Sequence, residues 1–365
     1  MMTAPKRLMV MAGGTGGHVF PALAVARQLR QQGWEVSWLG TADRMEARLV
    51  PQHGFEIDFI DIQGVRGNGL MRKLKAPLQI LKAIYQSWRI QRRRKPDVVL
   101  GMGGYAAGPG GIAAWLRGTP VVLHEQNAVA GATNRILARF ASRILCAFDG
   151  VFPGRDARRV GNPVREELLA VGRDHPVVPG DQLKVLIVGG SLGAKVLNET
   201  LPQAAQRLGP NTSLTVWHQV GRGNEAATRD AWQAMAPAVG VQVSEFIDDM
   251  AAAYAWADLV ICRAGALTVA ELSATGRPSI LVPFPHAVDD HQTKNSEALV
   301  AAGAAKLMPQ SKLTPKSLAL RLTQMAHDSE RLMSMARAAT EVAVPQATQL
   351  VAQECIQAAG GQHNE

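Results

Sequence analysis

"VMAGGTGGHVFPALAVARQLR", residues 10–30, and "LKVLIVGGSLGAKVLNETLPQAAQRL", residues 183–208, decide how this chain folds. Each opens with an apolar run that reads as a strand, stops at glycines, and continues with the apolar spacing of a helix. The order strand, Gly-Gly-hydroxyl-x-Gly, helix thus occurs twice, as Gly13-Gly14-Thr15-Gly16-Gly17 and as Gly189-Gly190-Ser191-Leu192-Gly193. Around them apolar runs alternate with helical patterns: "EVSWLG", "FEIDFI", "DVVLGM", "PVVLHE" and "RILCAF", then "SLTVWHQVG", "VQVSEF", "LVICRAG" and "PSILVPF". Alternation of this kind means parallel strands with helical crossovers. The restart predicts an α/β chain of two doubly wound, Rossmann-like domains facing a central cleft. Pro163 forces Asn162 out of the helical region, which puts the boundary there: residues 1–163, then 164–341. A last helix, about 342–360, is expected to pack back on the first domain.

A chain of 365 residues fits two domains at roughly 100–200 residues each. With 47% apolar and 19% charged residues, the composition is that of a soluble globular protein. Cys146, Cys262 and Cys355 are far apart and form no C-x-x-C pair, so neither a disulfide framework nor a zinc site is indicated and a reducing cytosol fits best. The glycines after "LMVMA" cut the apolar start too short for a secretory signal. The uncharged stretch 98–116 contains six glycines and a proline, which excludes a membrane span.

The net charge is +9, and the excess lies in residues 1–163. "LMRKLKAPLQILKAIYQSWRIQRRRK", residues 70–95, holds nine basic residues and no acidic one, interleaved with Leu, Ile, Tyr and Trp. That is the make-up of a basic amphipathic helix on an anionic membrane surface. The plainer alternative is a solvated helix packing its apolar stripe on its own domain. No nucleic-acid motif accompanies the charge, so nucleic acid is not an expected partner.

A strand ending in glycines lets backbone amides approach an anion without a Cβ in the way, and the helix behind aims its unpaired N–H groups at the same point. Residues 13–17, 101–104 and 189–193 share this form, so phosphate is the expected guest. A turn that needs glycine only for positive φ is the alternative. None of the three ends in the Gly-Lys-Ser/Thr of a P-loop. "GMGGYA" fits G-x-G-x-x-A with Glu125 beyond it, which admits a nicotinamide-dependent dehydrogenase as a rival, although that motif normally sits on the first strand of its unit.

In "CRAGALTVAELSATGRP" (262–278) a strand runs through Arg263 and Gly265 into a helix. Its first amides suit a diphosphate, and Glu271 suits the two hydroxyls of a ribose. Equally, Thr268 and Glu271 have the spacing of a capping box. "VPFPHAVDDHQTKN" (282–295) offers Asp290 and Gln292 to sugar hydroxyls; its spacing is not that of a structural zinc site, and no metal or other cofactor is expected. "VLHEQNAVAGATNR" (122–135) places His124, Glu125, Gln126 and Asn127 after a strand, where such side chains point into a cleft or lead into a capped helix.

Taken together, "GGTGGHVFPALAVA", "GMGGYAAGPGG", "HEQNAVAG", "GNPVR", "VGGSLGA", "EFIDDMAAAYAWAD", "CRAGALTVAE" and "DDHQTKN" resemble the MurG family of bacterial N-acetylglucosaminyltransferases, in that family's order. The resemblance implies a GT-B fold. It also implies an inverting transfer of N-acetylglucosamine from UDP-N-acetylglucosamine to N-acetylmuramoyl-pentapeptide on undecaprenyl pyrophosphate, lipid I, at the cytoplasmic face of the inner membrane. It implies donor contacts from Thr15, Gly16, Gly17, Asn127, Arg165, Ser191, Ile247, Ala266, Leu267, Thr268, Val269, Ala270, Glu271 and Gln292. The acceptor side falls to Gly13, Gly14, Gly103, Gly104, Tyr105, His124 and Asn134. Leu192 and Ala264 depart from the usual glutamine and serine, which touches side-chain contacts only. A one-step inversion needs a base for the attacking hydroxyl. His18 is the first candidate, with a phosphate-contacting role as its alternative, and Glu125 is the second.

Overall fold

The computed structural model describes residues 4–62, 70–190 and 193–360, the side chains of 70–75 and 288 excepted. The chain divides into two compact units, Met1–Arg165 with Val344–Glu365, and Glu166–Ala343.

The first unit carries β1 (Arg7–Ala12), β2 (Glu35–Gly40), β3 (Glu56–Phe59), β4 (Val98–Gly103), β5 (Val121–Glu125), β6 (Arg143–Cys146) and β7 (Arg158–Arg159). They form one sheet in the order β3-β2-β1-β4-β5-β6-β7, parallel at every pairing. Helices cover both faces of such a sheet, so its central strands must be apolar almost throughout. β4 and β5 are accordingly buried from end to end. Alternate residues of β1 serve opposite faces: Leu8 and Val10 join one core with Val19 and Val25 of helix Gly16–Gln31. Met9 and Met11 join another with Ala106 and Ala107. The C-terminal helix Ala347–Gly360 completes the first of these cores through Val351, Ala352 and Cys355.

The second unit repeats the plan with β8 (Leu183–Val188), β9 (Leu214–Gln219), β10 (Gly240–Ser244), β11 (Leu259–Cys262), β12 (Ser279–Leu281) and β13 (Ala305–Leu307). Their order is β10-β9-β8-β11-β12-β13, again all parallel. In each unit the chain leaves its first strand to one side and returns on the other. The switch points therefore lie beyond the carboxyl ends of β1 and β4, and of β8 and β11, where open α/β sheets take their ligands.

The basic segment is helix Leu70–Arg94; the side chains of Lys73 and Lys75 lie outside the described residues. It packs on helix Ala107–Leu116 through a narrow stripe that includes Ala83, Ser87 and Gln91, with Gln91 Nε2 donating to the Gly110 carbonyl at 2.8 Å. Ile90 packs against the core beneath, but four large apolar residues face outward: Leu78 is 70% and Leu81 63% exposed, beside exposed Tyr85 and Ile80. The plainer alternative, an apolar stripe packed on its own domain, is thus corrected for these residues. A second correction concerns charge. Arg93 and Arg94 are paired to Asp58 and Glu56 of β3, and Lys82 to Asp61 at 2.9 Å, so the basic face is partly neutralised from within. Among the described residues no helix is long and apolar enough to cross a membrane.

Candidate functional site

At the switch point of the first unit the loops after β1 and β4 press together. A Cβ on Gly104 would come 2.5 Å from the Gly13 carbonyl oxygen, and Gly13 donates its N–H to Gly103 O at 3.3 Å. Glycine is needed here for close approach. Gly14 donates to Glu46 Oε2 at 2.8 Å. The amides of Gly13 and Gly14, expected to receive phosphate, are therefore already engaged, and this part of the expectation is corrected. Helix Gly16–Gln31 begins just beyond, with Thr15 as an extended N-cap whose side chain makes no cap. The first amides of a helix have no intrahelical acceptor. Those of Gly16 and Gly17 find none elsewhere among the described residues, which leaves an open anion cradle at Thr15, Gly16 and Gly17.

His18 stands on the first turn of that helix. Its Nδ1 lies 3.0 Å from Gly13 O. A carbonyl only accepts, so Nδ1 carries the proton and Nε2 of the neutral ring keeps its lone pair. The ring rests on the next loop, for a Cβ on Gly103 would fall 2.9 Å from both Nε2 and Cδ2. Tyr105 follows, exposed, with the Arg44 guanidinium 5.5 Å from its ring centre.

The polar run at the end of β5 turns inward, which corrects three assignments. Glu125 is 2% exposed. Its Oε1 accepts from Asn127 N and Nδ2 at 3.0 and 3.2 Å, and its Oε2 from Gly131 N and Asn134 Nδ2 at 3.0 and 2.8 Å. Four donors fill the four acceptor positions of a carboxylate, so Glu125 clamps the 126–131 loop and leaves no lone pair for a substrate proton. Asn134, equally buried, belongs to that clamp and not to the acceptor. His124 has no exposed surface; its Nε2 donates to Gly161 O at 2.9 Å. Burial pushes its pKa down to about 4, so it is a neutral core histidine. Asn162 donates to Gln126 O at 3.0 Å. The 161–162 segment is thus bound to the end of β5. Arg165 lies with its guanidinium 5.4 Å from the Phe20 ring centre.

In the second unit the glycine loop after β8 is also closed on itself. Gly189 donates to Gln219 O at 3.0 Å and Gly190 to Gln219 Oε1 at 2.9 Å, while Gly193 donates to Gly190 O at 2.9 Å. Those three amides are engaged, and Ser191 lies outside the described residues together with Leu192. The loop after β11 is different. Helix Ala266–Thr275 has Gly265 as its N-cap, with no side-chain cap. Thr268 is therefore inside the helix, which rules out the capping box read from sequence. Glu271 sits in the second turn and its Oε2 accepts from the buried Tyr254 hydroxyl at 3.1 Å. Leu267, Thr268 and Ala270 keep partial exposure, whereas Val269 is buried and its N–H donates to Gly265 O at 2.9 Å, so its expected donor contact is corrected. Arg263 is a brace, donating to Val282 O, Pro283 O and Gln310 Oε1 at 3.1, 3.1 and 2.8 Å.

After β12, Asp289 and Asp290 both adopt left-handed backbone, φ 55° and 51°, which is rare in consecutive non-glycine residues and marks a strained loop. Gln292 accepts from Phe284 N at 2.8 Å through Oε1, which turns its NH2 away from that bond. Ile247 lies half-buried on the loop after β10. Three residues had no sequence signal: Glu46, Gln219 and Tyr254 look like ordinary helix or strand members and were missed. Among the described residues no three His, Cys, Asp or Glu side chains gather as a metal-ligand group.

Comparison with known proteins agrees with this layout. Residues 8–146 match the glycosyltransferase family 28 N-terminal domain and residues 184–351 the glycosyltransferase family 28 C-terminal domain. The chain is 59% identical over 356 residues to a UDP-N-acetylglucosamine--N-acetylmuramyl-(pentapeptide) pyrophosphoryl-undecaprenol N-acetylglucosamine transferase of Shewanella loihica, covering 97% of this chain and 98% of that one. It is 60% identical over 356 residues to the protein of the same name from Shewanella sp. (strain MR-4), covering 98% of each. The crystal structure of Acinetobacter baumannii MurG is similar over 97% of this chain and 100% of that chain, at 48% identity and a TM-score of 0.84.

Proposed function

This chain belongs to glycosyltransferase family 28, and from that premise we infer the reaction and the residues that carry it. It is an N-acetylglucosaminyltransferase of GT-B fold. It moves N-acetylglucosamine from UDP-N-acetylglucosamine to the C4 hydroxyl of N-acetylmuramoyl-pentapeptide on undecaprenyl pyrophosphate, converting lipid I to lipid II.

The C4 oxygen attacks the anomeric carbon as the bond to the UDP oxygen breaks, so the configuration inverts. The hydroxyl proton goes to His18 Nε2. The observation that carries this assignment is the Nδ1–Gly13 O hydrogen bond: it fixes the tautomer in which Nε2 is the basic nitrogen, beside the open amides of Gly16 and Gly17. Proton transfer to a placed imidazole is worth about 10²–10⁴ in rate. The departing diphosphate charge falls to the N-terminal amides of helix Ala266–Thr275, with no metal required by this donor set. Glu271, oriented by Tyr254, accepts from the ribose hydroxyls, and Gln292 offers its NH2 to the sugar. Acceptor-dependent UDP release with a water-soluble lipid I analogue tests the reaction; donor binding without such release would leave only a binding protein.

A lipid-linked acceptor requires access to a bilayer. The outward Leu78, Leu81 and Tyr85, with exposed Trp115 and Leu116 on the neighbouring helix, form the apolar part of a peripheral docking face. Arg92 and Arg117, with guanidinium groups 5.6 and 5.9 Å from the Trp88 ring centre, supply cations at its border, suited to anionic lipid on the cytoplasmic side. Vesicle cosedimentation tests this: equal binding to neutral and anionic vesicles would dismiss the electrostatic part.

A further inference from the structure

Glu46 is 1% exposed and lies directly behind the loop that carries His18. It enters from the start of helix Met45–Gln52. Its Oε1 accepts from Thr41 N and Oγ1 at 3.1 and 2.7 Å, and its Oε2 from Gly14 N at 2.8 Å. No Lys, Arg or His pairs with it among the described residues, so three donors and a helix start are all that compensate a buried carboxylate. Two glycines make room for it. A Cβ on Gly13 would come 2.4 Å from Glu46 Oε1, and one on Gly40 2.8 Å from its Cγ.

Gly13 is the pivot of the arrangement. Its Cα faces the carboxylate, its N–H holds Gly103 O, and its carbonyl takes the His18 Nδ1 proton. We propose that Glu46 is a positioning residue for His18: by holding the Gly13–Gly14 peptide it fixes the imidazole tautomer and the direction of Nε2. By occupying the Gly14 amide it also turns anion binding toward Thr15, Gly16 and Gly17. The kinetic part rests on the reading of His18 as the base; the tautomer part does not.

The geometry sets the test. In Glu46→Gln one carboxylate oxygen becomes an NH2 that must face a donor, either Gly14 N–H or Thr41, so the loop loses a bond and shifts. Thr41→Val removes only the hydroxyl donor and is the milder companion should Glu46→Gln fail to fold. Turnover and the KM for UDP-N-acetylglucosamine are measured for both variants, with the ¹⁵N shifts of the His18 ring at a pH where it is neutral. A misplacement approaching 1 Å costs on the order of 100-fold. Glu46→Gln is expected to lower kcat by about 10- to 100-fold, with KM held within about twofold, and to mix the His18 tautomers. Thr41→Val follows in the same direction, less far. Folded variants with wild-type tautomer overturn the proposal, whatever their kcat. Should His18→Ala keep its turnover, the base reading fails, while the ¹⁵N shifts still report on Glu46.

Discussion

Gly103→Ala probes the packing beneath His18. The added methyl would lie 2.9 Å from His18 Nε2 and Cδ2, against an optimal separation near 3.5 Å, so the ring must retreat by about 0.6 Å. On the scale by which 1 Å costs about 100-fold, kcat should fall by roughly 10- to 50-fold. The backbone adds a separate effect. Gly103 has φ +98°, and an alanine held there costs about 1–3 kcal/mol of stability. Gly33→Ala separates the two, for Gly33 has φ +86° and no atom within 4 Å of its would-be Cβ. Both variants should lose melting temperature alike, but only Gly103→Ala should lose turnover. UDP release is followed with a soluble lipid I analogue at a temperature where both proteins are folded. Equal turnover in the two variants would refute the placement of the imidazole against Gly103.

Glu271→Ala should raise the KM for UDP-N-acetylglucosamine about 10-fold or more through loss of charged hydrogen bonds, with Tyr254→Phe a smaller effect of the same sign; calorimetric titration checks both, and unchanged affinity in Glu271→Ala would dismiss ribose recognition. Glu125→Gln should lower the melting temperature, since an NH2 must then oppose either the Asn127 donors or those of Gly131 and Asn134 and leave a buried donor unmet at about 1–3 kcal/mol; a stable variant without turnover would restore Glu125 as a base. Denaturant unfolding should show stability falling as pH drops. Burial lowers His124 to about 4 and His218 to about 3, so the unfolded chain binds protons first, below about 6.5, and each residue withdraws stability from there down to its folded value. His124→Gln should flatten that slope between pH 6.5 and 4, and an unaltered slope would contradict a neutral buried ring. Leu81→Asp should weaken vesicle binding without changing turnover on the soluble acceptor; undiminished binding would move the docking face elsewhere.

The strand-glycine-helix repeat announced both sheets because parallel strands buried on two faces must be apolar throughout, a pattern that survives in one dimension. The phosphate reading of the glycines was legible only in part. Gly16 and Gly17 stand at a helix start, where position alone frees the amides. Gly13, Gly104 and Gly193 are small because another chain segment crosses them: Glu46 at Gly13, the Gly13 carbonyl at Gly104, and Val220 O, 2.2 Å from a would-be Cβ, at Gly193. Nothing in a glycine tells which of these reasons applies. The same limit explains Glu125 and His124. As letters they are a carboxylate and an imidazole after a strand; only the positions of Asn134, Gly131 and Gly161 turn them into a clamp and a core contact. Glu46 had no signal at all, since its partners, the Gly14 amide and the Thr41 amide and hydroxyl, lie in the loops after β1 and β2.

Single-turnover transfer with His18→Ala, beside a measured affinity for UDP-N-acetylglucosamine, asks whether His18 Nε2 receives the acceptor proton. The transfer rate should fall by at least about 100-fold with the donor dissociation constant within about twofold of wild type. Transfer at the wild-type rate, or a loss carried wholly by donor affinity, would contradict it.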